Sequence, residues 1–204
     1  VASSWNHNSH FYPLARRALL PGTRALDLGC GEGLLSRELR NAGAVHVLGV
    51  DLSPAMVQSA RERSGGDAGL EYHVADFLTM PVTERFGLVT CFATLHHVDL
   101  EAGLERLKAF TAPGGRLVVV GLARTSGPVD LALSLASFLL DPLVKARRGY
   151  WDHPAPLADP EHSYAEVRAV AARLLPGARF RRRLFYRFSL EWTAPAEGTA
   201  LSDV

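Results

Sequence analysis

Cysteine is scarce: Cys30 and Cys91 are the two in 204 residues. Two thiols cannot build the disulfide framework of a small secreted domain, and without a Cys/His grouping there is no zinc site, so no metal is expected. An excess of one charge is also missing. Twenty-two Lys and Arg almost cancel 21 Asp and Glu, for a formal net charge of +1. Dedicated nucleic-acid binders carry a basic excess, so no nucleic-acid partner is expected. Lysine is nearly absent, since 20 of the 22 basic residues are arginine, a bias that points to a GC-rich bacterial genome. Long apolar runs are absent too. The longest, residues 131–140 (LALSLASFLL), has ten residues including Ser134 and Ser137, against roughly 20 for a membrane span. The N-terminal stretch VASSWNHNSHFYP lacks the basic start and apolar centre of an export signal. These absences lead us to expect a cytoplasmic protein with no membrane partner.

What is present is a globular composition, 48% apolar and 21% charged, enough for one domain over residues 1–204 with a full core. Short apolar runs at 24–28, 45–51, 70–76, 86–92 and 115–121 alternate with helical stretches at 34–42, 54–64 and 100–111. That alternation predicts a parallel sheet with helices on both faces. Ser53-Pro54 is a helix start, Gly43 a helix end, and Pro113-Gly114-Gly115 a turn before a strand. Residues 128–148 read as one or two helices, apolar almost all round from 131 to 140, and so buried or covering something. A proline-rich loop (150–160), a helix (163–175) and two strand-like runs (179–185 and 187–193) complete the chain. In the last run Phe188, Leu190 and Trp192 alternate with polar residues, which predicts one buried and one polar face.

The chemistry concentrates in ALDLGCGEG, residues 25–33. A strand runs into Gly29, Cys30, Gly31 and Gly33, and a helix starts at Leu34. Glycine is required where main chain turns sharply or approaches a ligand, and the helix start offers N–H groups. A dinucleotide loop would place its third glycine where Leu34 stands. Asp27, two residues before the first glycine, is poorly placed for a pyrophosphate and well placed for a cation or ammonium group. Asp51 closes the second strand, 18 residues after Gly33, where a carboxylate accepts hydrogen bonds from a ribose diol. Asp76 closes the third and is followed by Phe77, a pair suited to the amine and face of adenine. Each aspartate alone could be a turn or helix cap, but three successive strand ends converge on one crevice in a doubly wound sheet.

These segments, with VTCFATLHHV and APGGRLVVVG, resemble the class I S-adenosylmethionine-dependent methyltransferases over about residues 23–122. The resemblance implies a doubly wound, three-layer α/β/α fold around a mostly parallel seven-stranded sheet, order 3-2-1-4-5-7-6 with strand 7 antiparallel. It implies S-adenosylmethionine as cofactor and S-adenosylhomocysteine as product. Asp27 and the 29–33 backbone would hold the methionine part, Asp51 the ribose, Leu52 and Met56 the adenine faces, and Asp76 and Phe77 the adenine amine and edge. Phe92 and Ala93 would line the methionine side.

The acceptor end is less defined. His96 and His97 follow the fourth strand, and either can take a proton from a hydroxyl or amine, or merely shape the loop. The segment before the first strand (1–22) is expected to cap the pocket, bringing His10 or Tyr12 to the cofactor carboxylate or the acceptor, or else packing on the first helix. The insertion at 123–162 is expected to wall the acceptor pocket; a dimer contact and a membrane surface are its other readings. Trp151 and His153 are the substrate-binding candidates there, ahead of Tyr150, Arg124 and Arg148. The cluster Arg179, Arg181, Arg182, Arg183 and Arg187 reads as a solvated strand face, and His46 and His73 as structural. With no appended recognition domain, the acceptor is expected to be a small molecule, methylated at O, N or C, and the protein a monomer or homodimer. The rivals are an NAD(P)-dependent Rossmann oxidoreductase and a non-catalytic S-adenosylmethionine-binding module.

Overall fold

The computed structural model describes residues 5–148, 150 and 160–197. Seven strands form one sheet: β1 (Arg24–Leu28), β2 (His46–Asp51), β3 (Leu70–Val74), β4 (Phe86–Phe92), β5 (Thr111–Leu122), β6 (Arg179–Arg182) and β7 (Arg187–Thr193). Their order is β3-β2-β1-β4-β5-β7-β6. The first five run parallel, and β7 is antiparallel to β5 and to β6. The helices are α1 (Tyr12–Ala18), α2 (Leu34–Asn41), α3 (Pro54–Arg63), α4 (Leu100–Phe110), α5 (Pro128–Arg148) and α6 (Tyr164–Leu174). This is the doubly wound fold that the sequence implied.

The starts of the helices follow local chemistry. The Ser53 hydroxyl caps α3, with Pro54 in its first turn. Asp99 caps α4, and Ser163 and Glu166 form a reciprocal capping box on α6. Side chains alternate across the sheet, so each strand feeds two cores. Leu26, Leu28, Val89, Cys91, Leu117 and Val119 meet α4 and α6 on one face. Ala25, Leu88, Phe92, Val118 and Val120 meet α1 and α2 on the other. Asp27 and Thr90 are register partners of the second parity, and so point toward α2.

Several expectations are revised. β5 starts at Thr111, and the Pro113-Gly114-Gly115 turn lies inside it, opposite a register shift between Phe86 and Leu88. β3 ends at Val74, two residues before Asp76. The polar face of β7 is covered at its start: Arg187 and Ser189 are buried, the first donating to Asn8 of the N-terminal segment and the second accepting from Arg183, whereas Glu191 is half-buried and Thr193 exposed. The arginine cluster is accordingly only partly solvated. Arg182 pairs with Asp130 and lies over the Tyr164 ring, and Arg183 pairs with Glu191. α5 is one helix with Pro142 inside it, and Leu131, Leu135, Leu139, Leu140 and Leu143 are exposed rather than buried. The insertion is pinned at its base, where the Arg124 N–H donates to the His162 carbonyl at 2.8 Å.

Candidate functional site

The glycine loop leaves β1 at the carboxyl edge of the sheet. Gly29, Gly31 and Gly33 all have positive φ (+73°, +53° and +72°), a region that L side chains enter at a cost. Two of them also lack room. A Cβ on Gly29 would overlap the Thr94 side chain, and one on Gly33 would lie 2.6 Å from the Tyr72 hydroxyl. Four of the five N–H groups in 29–33 are spent inside the protein. Gly29 and Cys30 donate to the Val50 carbonyl (2.8 and 3.1 Å) and Gly33 to that of Cys30 (2.9 Å). Gly31 donates to Asp51 Oδ2 at 2.9 Å. α2 starts from Gly33 with no side-chain cap. The Cys30 thiol is buried beneath the loop, and burial, with Asp27 and Asp51 nearby, raises its pKa.

The three aspartates take different positions. Asp51 is half-buried between loop and α3, with Oδ2 accepting from Gly31 and Oδ1 from the Ser53 N–H at 2.9 Å. Each oxygen keeps a second acceptor position for a hydroxyl. Exposed Leu52 and half-buried Met56 stand beside it. Asp76 accepts from the Leu78 N–H at 2.9 Å through Oδ1, and its other oxygen has no hydrogen-bond partner among the described residues. The Phe77 ring is buried in the α4 core and its carbonyl accepts from Arg106 Nε at 3.0 Å, so its ring edge does not face the crevice. Asp27 is enclosed: Oδ2 accepts from Ser36 Oγ at 2.7 Å and Oδ1 from Thr90 Oγ1 at 2.9 Å. Burial pushes its carboxyl up to about 6 against the pull of those two hydroxyls, with the charge of Asp51 adding to the rise. Asp27 thus lies under the loop, not on its surface.

β4 ends on a strained residue. Ala93 has φ +51°, held by its N–H to the Val120 carbonyl at 2.7 Å. Buried Phe92 meets the edge of Tyr12, ring centroids 5.5 Å apart. Burial raises the Tyr12 phenol pKa, with Asp27 adding to the rise, so this ring packs α1 onto β4. The turn Leu95–His97 follows. Its histidines lie with ring centroids 4.1 Å apart, His97 exposed and His96 half-buried. His96 Nδ1 is buried without a hydrogen-bond partner among the described residues. Burial, His97 and Arg187 push the His96 pKa down to about 4.

Residues 5–11 lie over the same edge, against the β6–β7 turn. His10 packs on Phe11 and Phe185, and His7 stacks on Phe185 at 5.0 Å. His7 Nε2 meets Asp141 Oδ1 of α5 at 2.6 Å, and Asn8 Oδ1 accepts from Nε and Nη2 of buried Arg187 at 3.2 and 2.9 Å. Burial lowers the pKa of both His7 and His10. Trp151 and His153 lie outside the described residues. Among the described residues no His/Cys/Asp/Glu group could hold a metal, and no helix is long and apolar enough to cross a membrane. Sequence reasoning passed over Ser36, Tyr72, Thr90 and Thr94 beneath the loop, and Asn8, Asp141 and Phe185 around the cap. Only Thr90 carried a signal, its place on the fourth strand beside the first.

The glycine cradle, the oriented Asp51 and the half-free Asp76 fit an adenosyl cofactor without phosphates. Residues 25–115 match the family described as methyltransferase domain. The chain is similar to an uncharacterised methyltransferase of Mycobacterium tuberculosis, 33% identical over 195 residues, 94% of this chain and 98% of that one. It is 32% identical over 190 residues to ubiquinone biosynthesis O-methyltransferase of Xylella fastidiosa, covering 90% of this chain and 77% of that protein. Magnesium protoporphyrin IX methyltransferase from Synechocystis PCC 6803, solved with bound S-adenosylhomocysteine, shares the fold: TM-score 0.61, 23% identity, 91% of this chain and 80% of that one.

Proposed function

Because the chain belongs to the class I S-adenosylmethionine-dependent methyltransferases, we propose that it methylates an oxygen of a small-molecule acceptor, with His97 taking the proton. The carrying observation is how the glycine loop spends its N–H groups. Four of five donate within the protein, leaving few donors for an anion. A dinucleotide pyrophosphate depends on such donors, which disfavours an NAD(P)-dependent oxidoreductase. A sulfonium cofactor does not depend on them.

In this reading the 29–33 backbone, with Phe92 and Ala93, holds the methionine part. Asp51 takes the ribose hydroxyls, Leu52 and Met56 flank the adenine, and Asp76 accepts from its amine. Asp27 supports the loop from below through Ser36. When bound, S-adenosylmethionine supplies an activated methyl group for in-line displacement. The chain's own task is alignment and exclusion of water, which can supply most of the rate. Methylation of a hydroxyl releases a proton. Exposed His97 can pass it to solvent, whereas His96, with its pKa near 4, is a poor acceptor and serves to position its neighbour. Oxygen as the acceptor atom draws on the similarity to an O-methyltransferase.

Calorimetric titration with S-adenosylhomocysteine, with NADH in parallel, tests the cofactor. Binding of the first alone is the expected result, and Asp51→Ala should weaken it by on the order of 2–4 kcal/mol as two hydrogen bonds are lost. Unchanged affinity in that variant removes Asp51 from the site. Labelled methyl donor incubated with cell extract then identifies the acceptor.

A further inference from the structure

α5 turns its polar side inward and its apolar side outward. Three ties set its rotation. Asp130 Oδ1 accepts from Arg182 Nε at 2.7 Å, Ser137 Oγ from the Phe185 N–H at 2.8 Å, and Asp141 meets His7 at 2.6 Å. At 100° per residue these three positions fall within about 40° of one another. On the far side Leu131, Leu135, Phe138, Leu139 and Leu143 are each more than half exposed. They span an arc of about 140°, and the other positions on it are Pro128, Ala132, Pro142 and Ala146, so no polar side chain interrupts it. An exposed apolar surface of this extent marks a contact site.

We propose that this face docks on an anionic lipid surface, with α5 lying in the plane of the headgroups. Charge placement decides the occupant. Lys145 and Arg147 flank the arc at its C-terminal end, each within about 40° of one of its edges; Arg147 is exposed without an ion pair among the described residues, and Lys145 pairs with Asp141 at 2.8 Å. This is the pattern of an interfacial helix: apolar face in the acyl boundary, cations at the phosphates. A second copy pairing through the same face would have to meet those cations with carboxylates of α5. Asp130 is already taken by Arg182, and Asp141 by His7 and Lys145. The helix does not cross a bilayer, so the contact is peripheral, and the expected absence of a membrane partner gives way at this surface. The ties run to the cap and to the β6–β7 turn, so the docked face adjoins the carboxyl edge of the sheet.

The test is flotation of the full chain with phosphatidylglycerol-containing vesicles and with phosphatidylcholine vesicles. The wild type is compared with Leu135→Ser/Phe138→Ser/Leu139→Ser and with Arg147→Glu, each checked for an unchanged melting temperature. The wild type should float with the anionic vesicles, at least tenfold less with phosphatidylcholine, and each variant should lose at least tenfold. A wild type that stays behind, a serine variant that floats equally well, or equal binding to both vesicles overturns the proposal. Sedimentation velocity completes the test: a wild-type dimer that the serine variant splits, without flotation, gives the face to a second copy.

Discussion

Asp27 holds a carboxylate in a fully enclosed place, with the hydroxyls of Ser36 and Thr90 in place of water. Its pKa in the folded protein, about 6, lies above the ordinary carboxyl value. The folded state therefore holds its proton longer than the unfolded chain does. The stability this lends is complete below the unfolded pKa and is lost as pH rises through about 6. Asp27→Asn keeps hydrogen-bonding capacity without the charge. Relative to wild type it should gain roughly 3 kcal/mol of stability between pH 3.5 and pH 7.5, measured by urea unfolding at both pH values. A constant difference would show that Asp27 is not desolvated. The second residue is His97, whose exposed imidazole sits at the end of the turn after β4. His97→Ala should lower kcat at least tenfold, within the usual range for a general base, and leave S-adenosylhomocysteine affinity unaltered. Loss that disappears at high pH, where the acceptor ionises unaided, would confirm the proton-accepting role; unchanged kcat would make His97 structural.

At the scale of elements, the N-terminal segment is held by buried Trp5 and Phe11 together with polar ties, and α5 by the ties of Asp130, Ser137 and Asp141. The β6–β7 turn carries two consecutive left-handed residues, Phe185 and Tyr186, and presents Phe185 to His7 and His10. Arg187, at the start of β7, is buried and finds its acceptors in Asn8 and the Phe185 carbonyl. Burial pulls its pKa down to about 10, still far above neutrality, so the cation persists and its acceptors matter. Asn8→Ala removes one of them. It should cost about 1.5–3 kcal/mol, the worth of a hydrogen bond to a charged group, and make the segment before α1 more sensitive to protease. A variant with wild-type unfolding and protease resistance would mean that Arg187 finds another acceptor.

The whole molecule is two cores separated by one sheet. Leu104 on α4 and Leu39 on α2 are both fully buried, one on each face. Truncation of either to alanine should cost about 2–5 kcal/mol. Since they share no partner across the sheet, the double variant should show the sum to within about 0.5 kcal/mol in urea unfolding. A departure well beyond that would mean that the strands relay strain from one core to the other.

Strand and helix alternation, the left-handed glycines and the spacing to Asp51 were legible in the sequence because each depends on a local backbone requirement. A glycine that must adopt positive φ announces itself, and an aspartate at a strand end lands at the crevice by topology. The sequence also carried the apolar stripe of α5 and the alternation of β7. It could not say which side of either would be covered. Arg187 and Ser189 of β7 are buried where Asn8 and Arg183 meet them, and α5 faces outward because Asp130, Ser137 and Asp141 meet Arg182, Phe185 and His7. These partners lie 52, 48 and 134 residues away along the chain. The enclosure of Asp27 and the contact of Thr94 on Gly29 are of the same kind. Periodicity in a sequence defines an axis of polarity for an element. The partners that the fold brings to it from distant positions decide which end of that axis meets the protein and which meets the solvent.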